Sequence, residues 1–485
     1  MQQVANERLP LKMKIGFGVG DIYGGGSLVI IGFYYLYFLT DVVRINPALA
    51  GIVFLVSKVW DAISDPLMGI ISDRTRSRWG RRRPYFLFGI VLIFLSFFMM
   101  WYPVDFEQEQ HRFVYMLVSY VFFSTVITMV MIPYNALSAE LTLDYNERTS
   151  LMSIRIFFST CSSLVCAVVP LEIVKLFPDV KTGYTIMAIA FGIFFALPFL
   201  ATFLTTRERE DFKPVQQPLD FRTLVAEPFK MKSFIAVLCM YVFAFVAMDA
   251  LMTIVIYFMT YYLHQGNQTN YVLGSMLILQ IVAIPFFYQL SKHTSKKTGY
   301  MVGALVWMIT MLFSFLIRPG MPIAAMYVFA SFVGIGTGGV IVMIYSIFPD
   351  IPDIDELQSS QRREGMYSGL FTFMRKLSSA LAIFIISNAI SLAGYKAPEK
   401  QVVGGVTTMV KQVQSPEFIL TLRIVFAVLP VVFLLICLYA ATRYPLSPML
   451  HARLKDFLGK RRSGAEIPAD ALREEMELRK VLIGE

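Results

Sequence analysis

The chain has 485 residues, 56% of them hydrophobic and only 16% charged, with a mean hydropathy of +0.61. Soluble domains run nearer a quarter charged, so the composition excludes an ordinary soluble protein and points to an integral membrane protein. The net charge of +9 does not make nucleic acid a partner, because the basic residues lie in short loops between apolar segments whose partner is the lipid bilayer.

A helix crosses the hydrocarbon core with about 20 apolar residues. Twelve segments meet that length, at 14–40, 48–72, 84–103, 112–139, 150–176, 182–205, 233–263, 270–291, 300–317, 321–348, 363–393 and 417–442. They are called spans 1 to 12, and the loops between them leave no room for a sizeable soluble domain. The start, MQQVANERLPLKMK, lacks an apolar region followed by a small-residue cleavage site. No cleaved signal peptide is expected, and span 1 serves as the insertion signal. Cys161, Cys166, Cys239 and Cys437 all fall inside spans, so neither a disulfide framework nor a metal cluster is expected.

The N-terminal tail, RTRSRWGRRRP (74–84), the loop near Arg148, the central loop 207–232, SKHTSKK (291–297), the loop with Arg362 and Arg363, and the C-terminal tail hold most of the Lys and Arg. By the positive-inside rule this side is cytoplasmic. The expectation is a multi-pass protein of the plasma (inner) membrane with both termini cytoplasmic. The central loop divides the spans six and six. The expected fold class is therefore an all-α integral membrane protein whose 12 transmembrane helices form two six-helix bundles, 1–206 and 233–443, joined by 207–232 and followed by a cytoplasmic tail, 444–485. The basic hairpin after span 2 has a weaker echo, KHTSKKTGY, after span 8. Internal repeats of this kind are typical of secondary transporters, with the binding site near the midplane between the halves. The tail alternates charge with Leu, Met and Val and reads as a surface helix, with docking of a cytoplasmic regulator as the alternative.

Span 2 contains KVWDAISDPLMG, with Lys58, Asp61 and Asp65 inside an apolar helix. An ionisable residue at mid-span costs about 2.5–3.5 kcal/mol on the insertion scale. Residues four apart share a helical face, so Asp61 and Asp65 form one cluster with Lys58 close by. Paired carboxylates repel, and a bound cation, a shared proton or a lysine neutralises them. Pro66 has no amide hydrogen, which frees the carbonyl of Ala62 as a further oxygen beside Ser64. Hard cations prefer such oxygen ligands. The alternative is that these charges only fasten span 2 to a neighbour. Other polar candidates within spans are Asp21 and Tyr23 in GVGDIYGGG, Thr128, Asn135, Arg155, Asp249, Arg375, Lys376 and Arg423. Gly69 and Asp73, at the end of span 2 before the arginine cluster, point to a close contact and a charge latch between bundles, and Asp355, Glu356 and Arg363 in FPDIPDIDELQSSQRREG offer a second latch. Catalysis is not expected: there is no nucleotide loop, HExxH or nucleophile elbow, and the four histidines do not cluster.

WDAISDPLMG, SDRTRSRWGRRRPY, IPYNALSAELTLDYNERTSL and DIDELQSSQRREG with the following RKLSSA recur in order along nearly the whole chain. Together they resemble the glycoside-pentoside-hexuronide:cation symporter family, whose fold is that of the major facilitator superfamily. The resemblance implies a sugar-like small-molecule substrate, no cofactor, and sodium, lithium or a proton as the coupling cation. It implies a cation site at Asp61 and Asp65 with Thr128, sugar contacts at Asp21 and Arg155, and Lys376 close to the cation site. Lys376, Asn135 and Tyr23 join the candidate substrate residues, and Lys58, Gly69, Asp73, Arg148, Asp355, Glu356 and Arg363 the candidate coupling and gating residues. The chain departs from the best-known member at three places: Ser64 replaces an asparagine, Met131 a helix-4 aspartate and Asn135 a tryptophan. The first bears on sodium against proton, and the loss of one carboxylate with Arg155 and Lys376 kept fits a uronic acid better than a galactoside. The wider family also includes lysophospholipid carriers, the alternative reading within transport.

Overall fold

The structure is a computed structural model, and it describes residues 9–142, 145–208, 228–359, 364–403, 406–462 and 469–483. Most of the central loop, 209–227, lies outside them.

Among the described residues, twelve helices are long and apolar enough to cross a membrane. Spans 1 to 6 are Leu11–Tyr35, Pro47–Arg74, Arg83–Trp101, Glu109–Leu141, Tyr145–Lys175 and Val180–Thr205. Spans 7 to 12 are Lys232–Tyr262, Thr269–His293, Lys296–Phe313, Ile323–Ile347, Glu364–Leu392 and Pro416–Arg443. Their ends fall where local chemistry puts them. The Asn46 side chain accepts from the Ala48 amide at 2.9 Å ahead of Pro47, Asp179 caps span 6, Ser295 caps span 9, and Ser415 caps span 12 ahead of Pro416.

Each set of six spans packs by the same scheme. In the first half span 1 lies on span 5, span 2 on span 4, and span 3 on spans 4 and 6; in the second, span 7 lies on span 11, span 8 on span 10, and span 9 on spans 10 and 12. These are two six-helix bundles, and they meet where span 2 lies on span 11 and span 5 on span 8. Span 10 approaches its neighbours closely through GIGTGG, which lets backbones touch: a Cβ at Gly336 would lie 2.6 Å from the Trp307 amide nitrogen on span 9. Aromatic side chains fill the interiors, with Tyr35 against Trp101 and Tyr120 in one half and Phe258 stacked on Phe426 at 4.1 Å in the other.

The start of span 1 and the end of span 12 lie on one face, here the terminal face, and the other is the distal face. The terminal face carries the helix Asp350–Ser359 and two tail helices, Pro448–Arg462 and Ala469–Leu482. One element departs from the all-helical expectation: β1, Glu399–Val403, pairs antiparallel with β2, Val406–Val410, in the loop before span 12. The loop's β-branched residues, Val402, Val403, Val406, Thr407, Thr408 and Val410, account for it. In the equivalent spans 1 and 7, a π-helical turn, Phe38–Val42, follows the first, and another, Phe258–Tyr262, ends the second. Such turns are rare and often mark functional regions.

Candidate functional site

Span 2 runs unbroken through Pro66, so the Ala62 carbonyl is left without its helical donor. Asp61 is buried, with 1% of its side chain exposed, and Asp65 is partly accessible. One Asp61 oxygen accepts from the Ser124 hydroxyl on span 4 and the other from Lys58 Nζ at 3.1 Å. Asp65 accepts from Thr128 Oγ1 at 2.6 Å and from Lys376 Nζ, on span 11, at 2.5 Å. Lys376 Nζ also stands 3.4 Å from Asp61 Oδ2. One ammonium from the second half thus bridges both carboxylates of the first. The hydroxyls of Ser57 and Ser64, on the same helix, are buried without a hydrogen-bond partner. Trp60 donates to Thr125 Oγ1 at 2.8 Å and holds span 2 against span 4.

A second cluster joins spans 1, 4 and 5. Arg155 donates to Asp21 Oδ1 at 2.9 Å and to Asn135 Oδ1 at 2.7 Å, with its guanidinium over the Tyr134 ring. Met131 closes in beside Asp21: a Cβ at Gly24 would lie 2.5 Å from the Met131 methyl and 2.7 Å from an Asp21 oxygen. An apolar chain therefore sits where the sequence comparison placed a lost carboxylate. Tyr23 corrects the expectation for it. Two residues on from Asp21 it points to the other side of span 1, fully buried among Phe123, Phe195 and Phe199, away from Arg155.

A third pair repeats this arrangement in the other half, on the equivalent spans. Arg375 on span 11 holds Asp249 on span 7 with two hydrogen bonds, 2.6 and 2.9 Å, while its guanidinium lies 4.2 Å from the Phe245 ring centre. Among the described residues these clusters bring together four carboxylates, Asp21, Asp61, Asp65 and Asp249, and four cations, Lys58, Arg155, Arg375 and Lys376. Arg155 and Lys376, the two cations whose retention fits a uronic acid, both have carboxylate partners in this structure.

The halves are fastened toward the distal face. Asp41, in the π-helical turn after span 1, accepts from Tyr261, from Tyr395 at 2.6 Å and from Thr40 at 2.8 Å, and Thr40 meets Tyr257 at 2.6 Å. Burial pushes the Tyr395 phenol well up, so it remains a donor. Asn46 and Ser391 join spans 2 and 11 at 3.0 Å, and a Cβ at Gly51 would collide with the Ser387 hydroxyl. At Gly69, nearer the terminal face, no atom lies within 4 Å of where a Cβ would sit. Among the described residues the close contact expected at Gly69 is therefore absent, and spans 2 and 11 make one at Gly51, nearer the distal face. The side chains of Asp73 and Arg148, and Arg363, lie outside the described residues. Asp355 and Glu356 are buried in the helix Asp350–Ser359, whose Asp350 pairs with Lys296 at 2.7 Å and whose Leu357 carbonyl accepts from Arg461 and Arg479 of the tail helices.

Residues 16–448 match the profile of the MFS/sugar transport protein family. The chain belongs to that family. It is a membrane transporter, not an enzyme, as its sequence led one to expect. The glucuronide carrier protein homolog of Escherichia coli (strain K12) is 25% identical over 450 residues, 91% of this chain and 94% of that one. The sodium-dependent lysophosphatidylcholine symporter 1 of Gallus gallus is 23% identical over 482 residues, 91% of this chain and 88% of that one. Among solved structures, the nucleoside transporter NupG aligns with a TM-score of 0.58 and 16% identity over 90% of this chain and 99% of that one, a likeness of fold.

Sequence reasoning picked out Asp61, Asp65, Thr128 and Lys376, which the fold brings into one cluster, and Asp21, Asn135 and Arg155, which it brings into another. It missed Ser124 and Ser57, though each stands four residues from a named site residue, Thr128 and Asp61, and so on the same helical face. The Asp41 cluster it also missed.

Proposed function

We propose that the protein is a secondary active symporter that couples a cation, sodium, lithium or a proton, to the uptake of a sugar, glycoside, pentoside or hexuronide by alternating access. The observation that carries this reading is the Lys376 ammonium seated between Asp65 and Asp61, from the opposite bundle. An ammonium between two carboxylates stands in for a coupling cation. A sodium or lithium ion, or a proton on Asp65, takes over its role, with Thr128, Ser64 and the Ala62 carbonyl as further oxygen ligands for a metal ion. Because Lys376 belongs to the second half, that exchange alters a contact between the halves, the kind of differential interaction that moves a two-state equilibrium.

The substrate reading rests on Asp21, Asn135 and Arg155, an acceptor and donor set suited to vicinal hydroxyls, with Tyr134 as an aromatic face. Coupling is then a matter of linkage: each ligand raises the affinity for the other. The basic loops of the terminal face support a cytoplasmic orientation for it in the plasma (inner) membrane. The polar character of the Asp21 cluster favours a hydroxylated substrate over a lysolipid.

The test is counterflow by the purified protein in vesicles, with a panel of hexoses, pentosides, disaccharides and hexuronides, each run with sodium, lithium or proton gradients. At least one sugar should exchange, and faster with one of the cations. Competition by lysophosphatidylcholine with none by any sugar would overturn the sugar reading.

A further inference from the structure

Apart from the mid-membrane clusters, the distal face holds a cavity of about 710 Å3, lined by Tyr37, Asp41 and Tyr184 of the first half and by Ile256, Thr260 and Lys411 of the second. Small-molecule sites run to about 300–1,000 Å3, so its size suits such a ligand. Two sets of bonds between the halves bound it. Asp41 accepts from Tyr261 and Tyr395 on one side. On another, Lys175 at the end of span 5 donates to the Asn267 carbonyl at 2.7 Å, and Asn270 at the start of span 8 donates to Glu172 at 2.6 Å. The cavity therefore has this shape only while the halves are closed distally.

The charges in its walls are matched, with one exception. Lys175 pairs with Glu172 and Lys181 with Asp105, both at 2.7 Å, and Asp179 accepts from the Thr182 amide at 2.9 Å. Asp41 is committed to three hydroxyls. Among the described residues Lys411 makes no hydrogen bond and no ion pair, and the charge that reaches it is that of Asp41. Lys411 and Asn267 are exposed, so the cavity is accessible from the distal side. An ammonium has three donors and no acceptor, and a ligand that meets it offers an anionic group. Val42, Leu171, Val174 and the rings of Tyr37 and Tyr184 leave the remaining space to an apolar body.

We infer that this cavity is an inhibitory site for a small organic anion with an aromatic or other apolar body, and that such a ligand, entering from the distal side, holds the halves closed at that face. This rests on the alternating-access part of the symport reading and not on which sugar is carried. A ligand moves a two-state equilibrium by its difference in affinity for the two states. The walls come from both halves and separate when the distal face opens, so the ligand binds the closed form better and draws the protein toward it. Uptake from that side needs the open form. It is slowed without any contact between the ligand and the Asp21, Asp61 or Asp65 clusters.

The experiment uses the full-length protein in vesicles with the distal face outward, naphthalene-2-sulfonate as a membrane-impermeant anion, and 2-naphthamide as its neutral counterpart. Added outside, the sulfonate should slow uptake of an exchanging sugar, and the amide should be weaker by roughly tenfold, the size of one hydrogen bond to a charged group. Enclosed in the lumen, the sulfonate should have no effect. Lys411→Gln should leave uptake without the anion unchanged and weaken the sulfonate to the level of the amide, while Lys411→Arg keeps the inhibition. Competition at the central site predicts equal inhibition of Lys411→Gln and the unmodified protein, and that result overturns the inference. Equal potency of sulfonate and amide overturns it too. Spin labels at Gln110→Cys and Arg318→Cys, exposed at the distal ends of the two halves, should report the shorter distance when the sulfonate binds. A longer distance would show a wedge in place of a clamp and overturn the closed-form assignment. If no sugar exchanges with any cation, the symport reading falls, and calorimetric titration of the sulfonate into the purified protein and into Lys411→Gln still decides the site: equal binding, or none, overturns it.

Discussion

Tyr395→Phe removes one of the two phenols that the second half donates to Asp41. In the distally closed form Tyr395 reaches Asp41 Oδ2 at 2.6 Å, and the carboxylate is buried. A hydrogen bond to a charged group contributes about 1.5–3 kcal/mol, and this one exists only while the bundles are closed at that face. When they part, water replaces the phenol, so the loss falls on the closed form alone. At about 1.4 kcal/mol per tenfold, the ratio of closed to open should drop roughly tenfold to a hundredfold. Leu176 in the first half and Val413 in the second are both exposed near the distal face, 77% and 89%, and take spin labels as cysteines without disturbing packing. The unmodified protein should give one short distance between them. Tyr395→Phe should add a longer population, and Tyr395→Phe combined with Tyr261→Phe should enlarge it. An unchanged distance distribution in the double variant would refute the assignment of Asp41 as the distal fastening.

Gly51→Leu should act in the same direction, because the Ser387 hydroxyl leaves no room for its side chain when spans 2 and 11 converge, and the same label pair should report more of the open form. Gly336→Ala should lower thermal stability in detergent, since its Cβ would lie 2.6 Å from the Trp307 amide nitrogen and overpacking costs about 1–3 kcal/mol; an unchanged midpoint would contradict the close approach of spans 9 and 10. Asp179, the cap of span 6, has its carboxyl held below the usual range by hydrogen bonds from Thr182. Its contribution is therefore fully present above the unfolded value of about 3.9 and lost as pH falls through the lower folded value. The stability difference between the unmodified protein and Asp179→Asn should accordingly narrow from pH 6 to pH 3, and a difference that widens on acidification would contradict the sign.

The spans were legible because bilayer thickness imposes a length and because Asn46, Ser295 and Ser415 mark helix starts by their own chemistry. Asp61 and Asp65 were legible because charge in an apolar helix is costly. The resemblance brought Thr128 and Lys376 to them, since nothing in spacing alone says which spans touch. Tyr23 was misread for a related reason. In a helix that is apolar all round, periodicity does not tell the core face from the site face, and only its offset of two residues from Asp21 could have warned against it. The Asp41 fastening depends on Tyr261 and Tyr395, 220 and 354 residues away, at ends of spans where no buried-charge argument applies from sequence. Gly69 was misjudged because two helices that cross can touch at one end only, and sequence does not say which end.

The most direct measurement of the central claim is substrate uptake into vesicles with and without an inward cation gradient, for the unmodified protein and for Asp61→Asn with Asp65→Asn. The cation gradient should accelerate uptake by the unmodified protein. In the double variant that stimulation should vanish while the protein remains folded and inserted. Equal stimulation in both would contradict the assignment of the span 2 carboxylates as the coupling site.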